Sequence, residues 1–377
     1  MAEEECTGPG IIHGSERPLS QAYQLALLDL DGVVYRGADP VENAAAGIDQ
    51  AKDLGMKIAY TTNNPSRFPS VVADQIRSFG LELEDSDVIT SAIVSAHMME
   101  EALEPGSTVL VIGAKHLRDE LEKVGFKVTD LAADHPQAVI QSWYPTISWQ
   151  ELSQATYAIQ SGARYFATNR DLTIPREGGI APGNGAMLLP VIAASGKEPE
   201  ASAGKPEPFM YDIALTMFSD TDRPLDRQIC LPVGDRLDTD IEAANRGGYD
   251  GAVVLTGVAD PRQIILAAPI NRPVFVCADL EGLNDPQPEV RVSRENGRLL
   301  FTCRQAKAWV DSESPTIPAR LHVVESGSPA KESGNEPAKE LDSLDALRAA
   351  ASAAWHALDS GLDPTDFRLP AFAAKLH

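Results

Sequence analysis

The sequence has few cysteines, no long apolar run and no cluster of basic residues. Its four cysteines, Cys6, Cys230, Cys277 and Cys303, lie far apart in 377 residues and form no Cys-x-x-Cys pair. Neither a disulfide framework nor a thiolate zinc site is therefore indicated. No stretch approaches the roughly 18 apolar residues of a membrane-spanning helix. Because the acidic N-terminus also lacks the basic start of a signal peptide, we expect a cytoplasmic protein with no membrane partner.

Acidic residues outnumber basic residues by 55 to 32, so the formal net charge is −23. A field of this sign repels a phosphate backbone, and no run of lysine or arginine offsets it, which predicts no nucleic-acid partner. An acidic protein can still bind one small phosphate if its carboxylates hold a divalent cation that inverts the local charge.

Apolar runs in the first two thirds of the chain predict an α/β fold. A buried strand at 25–30, a helical pattern from Ala44 to Leu54 and a second strand at 57–62 form a βαβ unit. Further strands are predicted at 109–112, 138–141, 165–168, 229–233 and 252–255. This alternation is typical of a doubly wound parallel sheet.

The composition changes near residue 261, where prolines become frequent. Strands are predicted at 274–278, 290–293 and 299–303, and Asn296-Gly297 between the last two indicates a hairpin. Residues 325–340 are rich in Gly, Ser and Pro, as in a flexible linker. Apolar residues then recur at helical spacing from Leu341 to Leu358, which predicts an amphipathic helix and a small α+β C-terminal domain.

Four separated clusters place polar groups at the predicted C-terminal end of a strand, where open α/β sheets bind ligands. They are Asp29 to Val33, Thr62 to Asn64, Gly204 to Pro206, and Gly234 to Asp240. Each cluster alone has a plain alternative, since a paired aspartate can be a turn or a helix cap and Gly-Lys-Pro a solvated turn. The four in this order are harder to obtain as turns.

The residue types in the clusters suit a magnesium-bound phosphate. Asp29 and Asp31 are two residues apart and would share one side of a regular strand, which is costly unless a cation lies between them. Asp235 and Asp240 add hard oxygen ligands, which Mg²⁺ prefers. Lys205 would offset the carboxylate charge and bind the phosphate.

Uncharged donors would complete the phosphate site. The Thr62 hydroxyl and the backbone N–H groups around Asn63 and Gly32 can donate to phosphoryl oxygens without adding charge.

The four clusters resemble the motifs of the haloacid dehalogenase (HAD) superfamily of phosphatases. The stretches DLDGVVYRG, TTNNPSR, GARYFATNRD, GKPEP and GDRLDTDI resemble in particular the subclass of p-nitrophenyl, phosphoglycolate, pyridoxal phosphate and UMP phosphatases. The resemblance covers residues 24–260 and implies aspartyl-phosphate catalysis. Asp29 would attack phosphorus, and Asp31 would protonate the leaving alkoxide and later activate water. Asp29, the Asp31 carbonyl, Asp235 and Asp240 would hold Mg²⁺, with Mn²⁺ or Co²⁺ left open as substitutes.

The spacing of the motifs also predicts the domains. One helix and one strand fill the stretch from Asp31 to Thr62, whereas the stretch from Thr62 to Lys205 has room for a core unit and an inserted α/β cap of the C2 type. We predict a disordered leader at 1–22, a phosphatase core at 23–86 and 181–262, a cap at 87–180, and a C-terminal domain at 263–377 that contains the linker.

The cap departs from the pattern of the related enzymes, which have a Gly followed two residues later by Asp where this chain has VIQSWYP at 139–145. Trp143, Tyr144 and Arg170 are candidate substrate contacts, with packing or a surface ion pair as the alternative for each.

The C-terminal region resembles the truncated acetyltransferase-like (GNAT-like) appendage of actinobacterial glycerol 3-phosphate phosphatases. It has no Arg/Gln-x-x-Gly-x-Gly/Ala turn to hold a pyrophosphate, so acetyl transfer has no visible phosphate site. A structural or oligomerisation role is favoured for this region, so a homo-oligomer is one of the expected states of the protein.

The leading hypothesis is a Mg²⁺-dependent phosphomonoesterase that acts on a small phosphorylated metabolite, with glycerol 3-phosphate as the first choice. The alternatives within the same chemistry are phosphoglycolate, pyridoxal phosphate, a nucleotide or a sugar phosphate. The alternative from another class is a phospho-acceptor signalling protein. Such a protein needs no cap, and a second carboxyl such as Asp31 favours turnover instead.

Overall fold

The helices and strands are known for most of the chain. The computed structural model describes residues 10–176, 178–219, 225–295, 297–311, 318–325, 340–373 and 376. Within them the α-helices are α1 (Leu19–Ala22), α2 (Ala44–Asp53), α3 (Pro69–Arg77), α4 (Ser91–Ala102), α5 (Lys115–Lys123), α6 (Trp149–Gln160), α7 (Asn184–Ser195), α8 (Phe209–Phe218), α9 (Glu242–Gly247), α10 (Pro261–Ile265) and α11 (Leu344–Asp359).

The strands described in the same residues are β1 (Leu25–Asp29), β2 (Tyr35–Arg36), β3 (Asp39–Pro40), β4 (Lys57–Thr62), β5 (Val88–Thr90), β6 (Thr108–Ile112), β7 (Lys127–Thr129), β8 (Ala138–Gln141), β9 (Arg164–Ala167), β10 (Thr173–Arg176), β11 (Gly179–Pro182), β12 (Ala201–Ser202), β13 (Cys230–Gly234), β14 (Ala252–Val254), β15 (Phe275–Cys277), β16 (Val290–Glu295), β17 (Arg298–Cys303), β18 (Ala306–Asp311), β19 (Ala319–Glu325) and β20 (Phe367–Arg368). Each strand predicted from an apolar run is present, with its ends shifted by no more than two residues.

The described residues form two compact units, and the first consists of Met1–Ile58 and Leu225–His377. It contains four parallel strands in the order β15-β14-β13-β1. Almost every residue of β1 and β13 is buried, as expected for parallel strands with both faces covered. Because β15 pairs with β14, the parallel sheet continues beyond residue 262, the predicted end of the core.

Residues 10–22 differ from the disordered leader that we expect over 1–22. Ile12 and Leu19 are fully buried, and the backbone N–H of Ile12 donates to the Ser352 hydroxyl at 3.0 Å. Their burial, which the polar composition of the leader does not reveal, accounts for the difference. The other predicted domain boundaries stay predictions, and most of the predicted linker lies outside the described residues.

A second sheet of the first unit is formed by the antiparallel strands β16 to β19, with β20 parallel to β19. The predicted hairpin is present as β16 and β17, and Gly297 has the positive φ of 84° that suits its turn. The predicted amphipathic helix is α11, whose first turn is capped by the Ser343 hydroxyl accepting from the Ala346 N–H. Its alanine-rich face packs on this sheet.

The second unit consists of Ala59–Pro224 and contains a five-stranded parallel sheet in the order β12-β9-β8-β6-β7. Apolar side chains of β6, β8 and β9 form a core with α6 and α7. The α6 helix begins at a capping box, in which Ser148 and Glu151 satisfy each other's backbone N–H groups. The unit also contains the end of β4, which pairs in parallel with β5.

Among the described helices, none has the length and apolar character needed to cross a membrane.

The three described cysteines should be inert in the native protein. Burial raises the pKa of Cys230 and Cys303 to about 12 and that of Cys277 to about 11. The reactive thiolate is then scarce at pH 8. We expect a Cys6→Ser variant to show no fast thiol with Ellman's reagent in native buffer and three in guanidinium chloride. A fast-reacting thiol in native buffer would contradict this burial.

Candidate active site

The first site loop begins where β1 ends. Asp29 is the last residue of β1 and is half-buried, whereas Asp31 is exposed. Gly32 has a φ of +85°, which favours glycine, and its N–H donates to the Tyr35 carbonyl at 2.8 Å. A Cβ atom at Gly32 would lie 2.4 Å from Asp235 Oδ2. The loop after β1 is therefore packed directly against the aspartate that follows β13.

Three of the predicted metal ligands lie together at this edge of the sheet. Asp29, Asp235 and Asp240 each offer a carboxylate oxygen within 4.8 Å of the other two, and Asp235 and Asp240 are at most 2% exposed. Carboxylates this close repel one another unless a cation separates them. Three hard oxygen donors fit a magnesium ion. The Asp31 carboxylate is not part of this cluster, and binding through the Asp31 carbonyl stays a prediction.

Backbone donors fix the two buried aspartates. The Val258 N–H donates to Asp235 Oδ2 at 2.7 Å, and the Arg236 N–H donates to Asp240 Oδ2 at 3.1 Å. A Cβ atom at Gly234 would lie 2.1 Å from Asp240 Cγ. Only glycine at this position therefore lets the two aspartates share the end of β13.

Sequence reasoning missed the loop that follows β14, at residues 255–259. The Thr256 hydroxyl donates to the Gly32 carbonyl at 2.6 Å, and the Arg36 guanidinium donates to the Thr256 carbonyl. A Cβ atom at Gly257 would lie only 1.8 Å from Asp235 Oδ2. The signal that could have found this loop is a polar group at the end of a buried strand, as in the other motifs. Here that group is the Thr256-Gly257 pair after β14.

In the second unit, the structure brings Asn63 and Lys205 together. The Asn63 side chain donates to the Lys205 carbonyl and accepts from the Lys205 N–H, both at 2.9 Å. The Lys205 side chain is buried, as is Thr62, whose hydroxyl accepts from the Asn64 N–H at 3.1 Å. The Asn63 carboxamide thus fixes the backbone of the lysine, a role that the sequence did not indicate.

Asp171 is a second residue that sequence reasoning missed. Its carboxylate oxygens accept from the Asn63 side-chain N–H₂ at 3.2 and 3.3 Å. The Asn169 side chain and the Ser91 hydroxyl both donate to the Asn63 carbonyl, at 2.9 and 2.7 Å. Asn63 is therefore held by several partners at once, which fixes the end of β4 against the backbone of Lys205.

Two of the three candidate cap contacts, Tyr144 and Arg170, have described partners in the second unit. Tyr144 is half-buried and donates to Glu151 of the α6 capping box. Arg170 donates to the Pro199 carbonyl at 2.9 Å and lies 3.8 Å from Glu198. Trp143 is half-buried. The substrate contacts of all three residues stay predictions, and the partners of Tyr144 and Arg170 match the packing and ion-pair alternatives.

Comparison with known proteins identifies the class of this site. Two family models match the chain: a haloacid dehalogenase-like hydrolase over residues 26–127 and a HAD hydrolase-like family over residues 202–283. The chain is 32% identical over 357 residues to the D-glycerol 3-phosphate phosphatase of Mycobacterium tuberculosis, covering 94% of this chain and 92% of that protein. It is 34% identical to an acid sugar phosphatase of Staphylococcus epidermidis, covering 64% of this chain and 90% of that protein.

Solved structures that resemble this chain are also those of phosphatases. The glycerol phosphate phosphatase of Mycobacterium tuberculosis in complex with calcium is 31% identical, with a TM-score of 0.73 over 94% of this chain and 95% of that chain. The p-nitrophenyl phosphatase of Archaeoglobus fulgidus is 27% identical, with a TM-score of 0.63 over 69% of this chain and 98% of that chain.

The chain belongs to the haloacid dehalogenase-like hydrolase family. Within that family it is a phosphoric monoester hydrolase, as predicted from the motifs. The predicted fold is also confirmed, since a parallel-sheet α/β core and an additional C-terminal sheet are both present. This enzyme class displaces the alternative of a phospho-acceptor signalling protein.

The Gly257→Ala variant should lose divalent-cation binding, because its new Cβ atom would overlap with Asp235 Oδ2. The matched control is Gly10→Ala, where a Cβ atom meets nothing within 4 Å. Calorimetric titration with Mg²⁺ measures the effect, and circular dichroism verifies the fold. Wild-type Mg²⁺ affinity in Gly257→Ala would contradict the described packing of this loop.

Proposed function

We propose that the protein is a Mg²⁺-dependent phosphomonoesterase that hydrolyses a small phosphorylated metabolite, with glycerol 3-phosphate as the first candidate. The observation that carries the proposal is the cluster of Asp29, Asp235 and Asp240, because three carboxylates this close need a cation. The relative from Mycobacterium tuberculosis, named for D-glycerol 3-phosphate, matches 94% of this chain and has a structure in complex with magnesium.

Asp29 is proposed as the nucleophile. One of its oxygens forms a bond to phosphorus while the bond from phosphorus to the leaving alkoxide oxygen breaks, and Asp31 gives the alkoxide its proton. Asp31, now ionised, takes a proton from water as the water oxygen displaces Asp29 from phosphorus and releases inorganic phosphate. The exposure of Asp31 supports this assignment, since an exposed carboxyl can exchange protons with water.

The metal-binding residues would be Asp29, the Asp31 carbonyl, Asp235 and Asp240. Mg²⁺ bound there supplies positive charge that offsets the carboxylates and the phosphate oxygens. The N–H groups of Val258 and Arg236 keep Asp235 and Asp240 oriented, so these two ligands are preorganised before the cation binds. The proposal leaves Mn²⁺ and Co²⁺ as substitutes.

The phosphate oxygens would be bound by the Lys205 ammonium, the Thr62 hydroxyl and the backbone N–H groups of Asn63 and Gly32. Lys205 is 1% exposed, and a buried ammonium interacts more strongly with an anion than one in water. The bonds from Asn63 to the Lys205 backbone reduce its freedom to move, which favours a fixed position for the phosphate.

The remaining proposals concern the surroundings of the site. Residues 87–180 would form the cap, with Trp143, Tyr144 and Arg170 as candidate substrate contacts. The protein would be cytoplasmic and would bind neither nucleic acid nor membranes. A homo-oligomer is compatible with the proposal. The net charge of −23 supports the exclusion of polyanionic partners.

A sugar phosphate is the second candidate substrate class. The relatives from Staphylococcus are named acid sugar phosphatases and reach 34% identity, although they cover only 64% of this chain. Phosphoglycolate, pyridoxal phosphate and nucleotides remain further members of the test panel.

A phosphate-release assay tests the substrate class and the metal together. The panel contains both glycerol 3-phosphate enantiomers, phosphoglycolate, pyridoxal phosphate, UMP and a sugar phosphate. We expect the highest kcat/KM with a glycerol 3-phosphate enantiomer, loss of activity after dialysis against EDTA, and recovery with Mg²⁺. A higher kcat/KM for another compound would overturn the substrate, and full activity without metal would overturn the mechanism.

Two conservative variants separate the roles of the first two aspartates. Asp29→Asn should abolish turnover of every substrate, because it removes the nucleophile. Asp31→Asn should lower kcat/KM for an alkyl phosphate by about 10²–10⁴ and change kcat/KM for an aryl phosphate much less, because kcat/KM reports the transfer to Asp29 and an aryl leaving group needs less protonation. The measurement is kcat/KM for glycerol 3-phosphate against p-nitrophenyl phosphate, while kcat should fall for both substrates because they share the water step. Equal losses of kcat/KM on both substrates would argue against Asp31 as the general acid.

A further inference from the structure

The loop at 255–259, which fixes Asp235, leads directly into a short helix. The Val258 N–H binds the Asp235 carboxylate, and the Ala259 N–H donates to the Asp235 carbonyl at 2.8 Å. Asp260 then caps α10: its carboxylate accepts from the Gln263 N–H at 2.8 Å, and Gln263 Oε1 accepts from the Asp260 N–H at 3.0 Å. A shift of α10 would therefore move the donors that orient Asp235.

Helix α10 has only five residues, so its position depends on tertiary contacts rather than on its own helical stability. Ile264 and Ile265 are fully buried in one hydrophobic cluster with Trp355 of α11. The Trp355 indole Nε1–H donates to the Ile264 carbonyl at 2.9 Å. The C-terminal end of α10 is thus bonded to the helix that follows the predicted linker.

A second contact from α11 reaches the same region. Asp359 of α11 accepts two hydrogen bonds from the Arg272 guanidinium, at 2.7 and 2.6 Å, and Arg272 Nε donates to the Ala267 carbonyl at 3.2 Å. Arg272 is 1% exposed, and its guanidinium carbon lies 5.2 Å from the centre of the Trp355 ring. Trp355 and Asp359 therefore fix both α10 and the segment that follows it.

We propose that the C-terminal segment positions the metal-binding loop, and that Trp355 and Asp359 are positioning residues that set the affinity of the site for its divalent cation. The proposal rests on the proposed Mg²⁺ dependence. It gives the additional domain a role in the chemistry of the core, because residues that orient a metal ligand affect metal affinity without touching the metal.

The test compares two matched double variants of the full chain. Trp355→Phe with Asp359→Asn removes the indole donor and the charge, keeps an aromatic ring at 355 and keeps the side-chain shape at 359. Trp309→Phe with Asp311→Asn makes the same changes in the antiparallel sheet, where Trp309 Nε1 donates to Asp311 at 3.2 Å and Asp311 pairs with Arg298 at 3.0 Å. Calorimetric titration with Mg²⁺ gives the Kd, and circular dichroism and Tm report the fold.

We expect the Kd for Mg²⁺ to rise about tenfold in the Trp355/Asp359 variant and to stay at the wild-type value in the control. The Tm of both variants should fall, and their kcat at saturating Mg²⁺ should equal the wild-type value. If the Trp355/Asp359 variant does not fold, the Trp355→Phe single variant carries the same test with a smaller rise in Kd.

An unchanged Kd in a folded Trp355 variant, or an equal rise in the control, would overturn the positioning role. Wild-type protein that binds no Mg²⁺ would overturn the proposed function as well, so the wild-type titration distinguishes the two failures.

Discussion

The repulsion among three carboxylates is the constraint on which the site depends. At an effective dielectric constant of about 20, two unit charges 4 Å apart repel by ~4 kcal/mol, and Asp29, Asp235 and Asp240 offer oxygens within 4.8 Å of one another. Three glycines leave space for these carboxylates because they have no Cβ atom. Gly32, Gly234 and Gly257 each lie where a Cβ atom would meet an aspartate side chain.

Much of the fold and of the site could be predicted because the relevant signals are local. A buried parallel strand is a short apolar run, so β1 and β13 could be found from the sequence together with the polar residues at their ends. The turn at Gly297 likewise depends on local backbone conformation, because its positive φ favours glycine. Asp235 and Asp240 could be assigned to one cluster because both belong to a single motif.

The parts that could not be predicted depend on tertiary contacts. The Asn63 side chain binds the backbone of Lys205, which is distant in sequence, and nothing local distinguishes this role from a donor in a loop. The role of Thr256 is equally hidden in the sequence, since its hydroxyl binds the Gly32 carbonyl across a separation of 224 residues. Residues 10–22 have a polar composition, yet a few apolar side chains such as Ile12 are enough to fix them.

The change in composition near residue 261 marks neither the end of the parallel sheet, which continues to β15, nor an independent hydrophobic core, since one cluster contains Val253 of β14 and Phe301 of β17. Two buried arginines connect α11 to the segment from α10 to β15: Arg272, which follows α10, binds Asp359 of α11, and Arg348 of α11 donates to the Val276 carbonyl of β15 at 2.6 Å. A buried guanidinium is costly unless its partners are all in place, so each arginine favours one arrangement of α11 on the edge of the parallel sheet. In a chain with a net charge of −23, burying cationic side chains at this junction ties the C-terminal segment to the core that holds the proposed metal-binding aspartates.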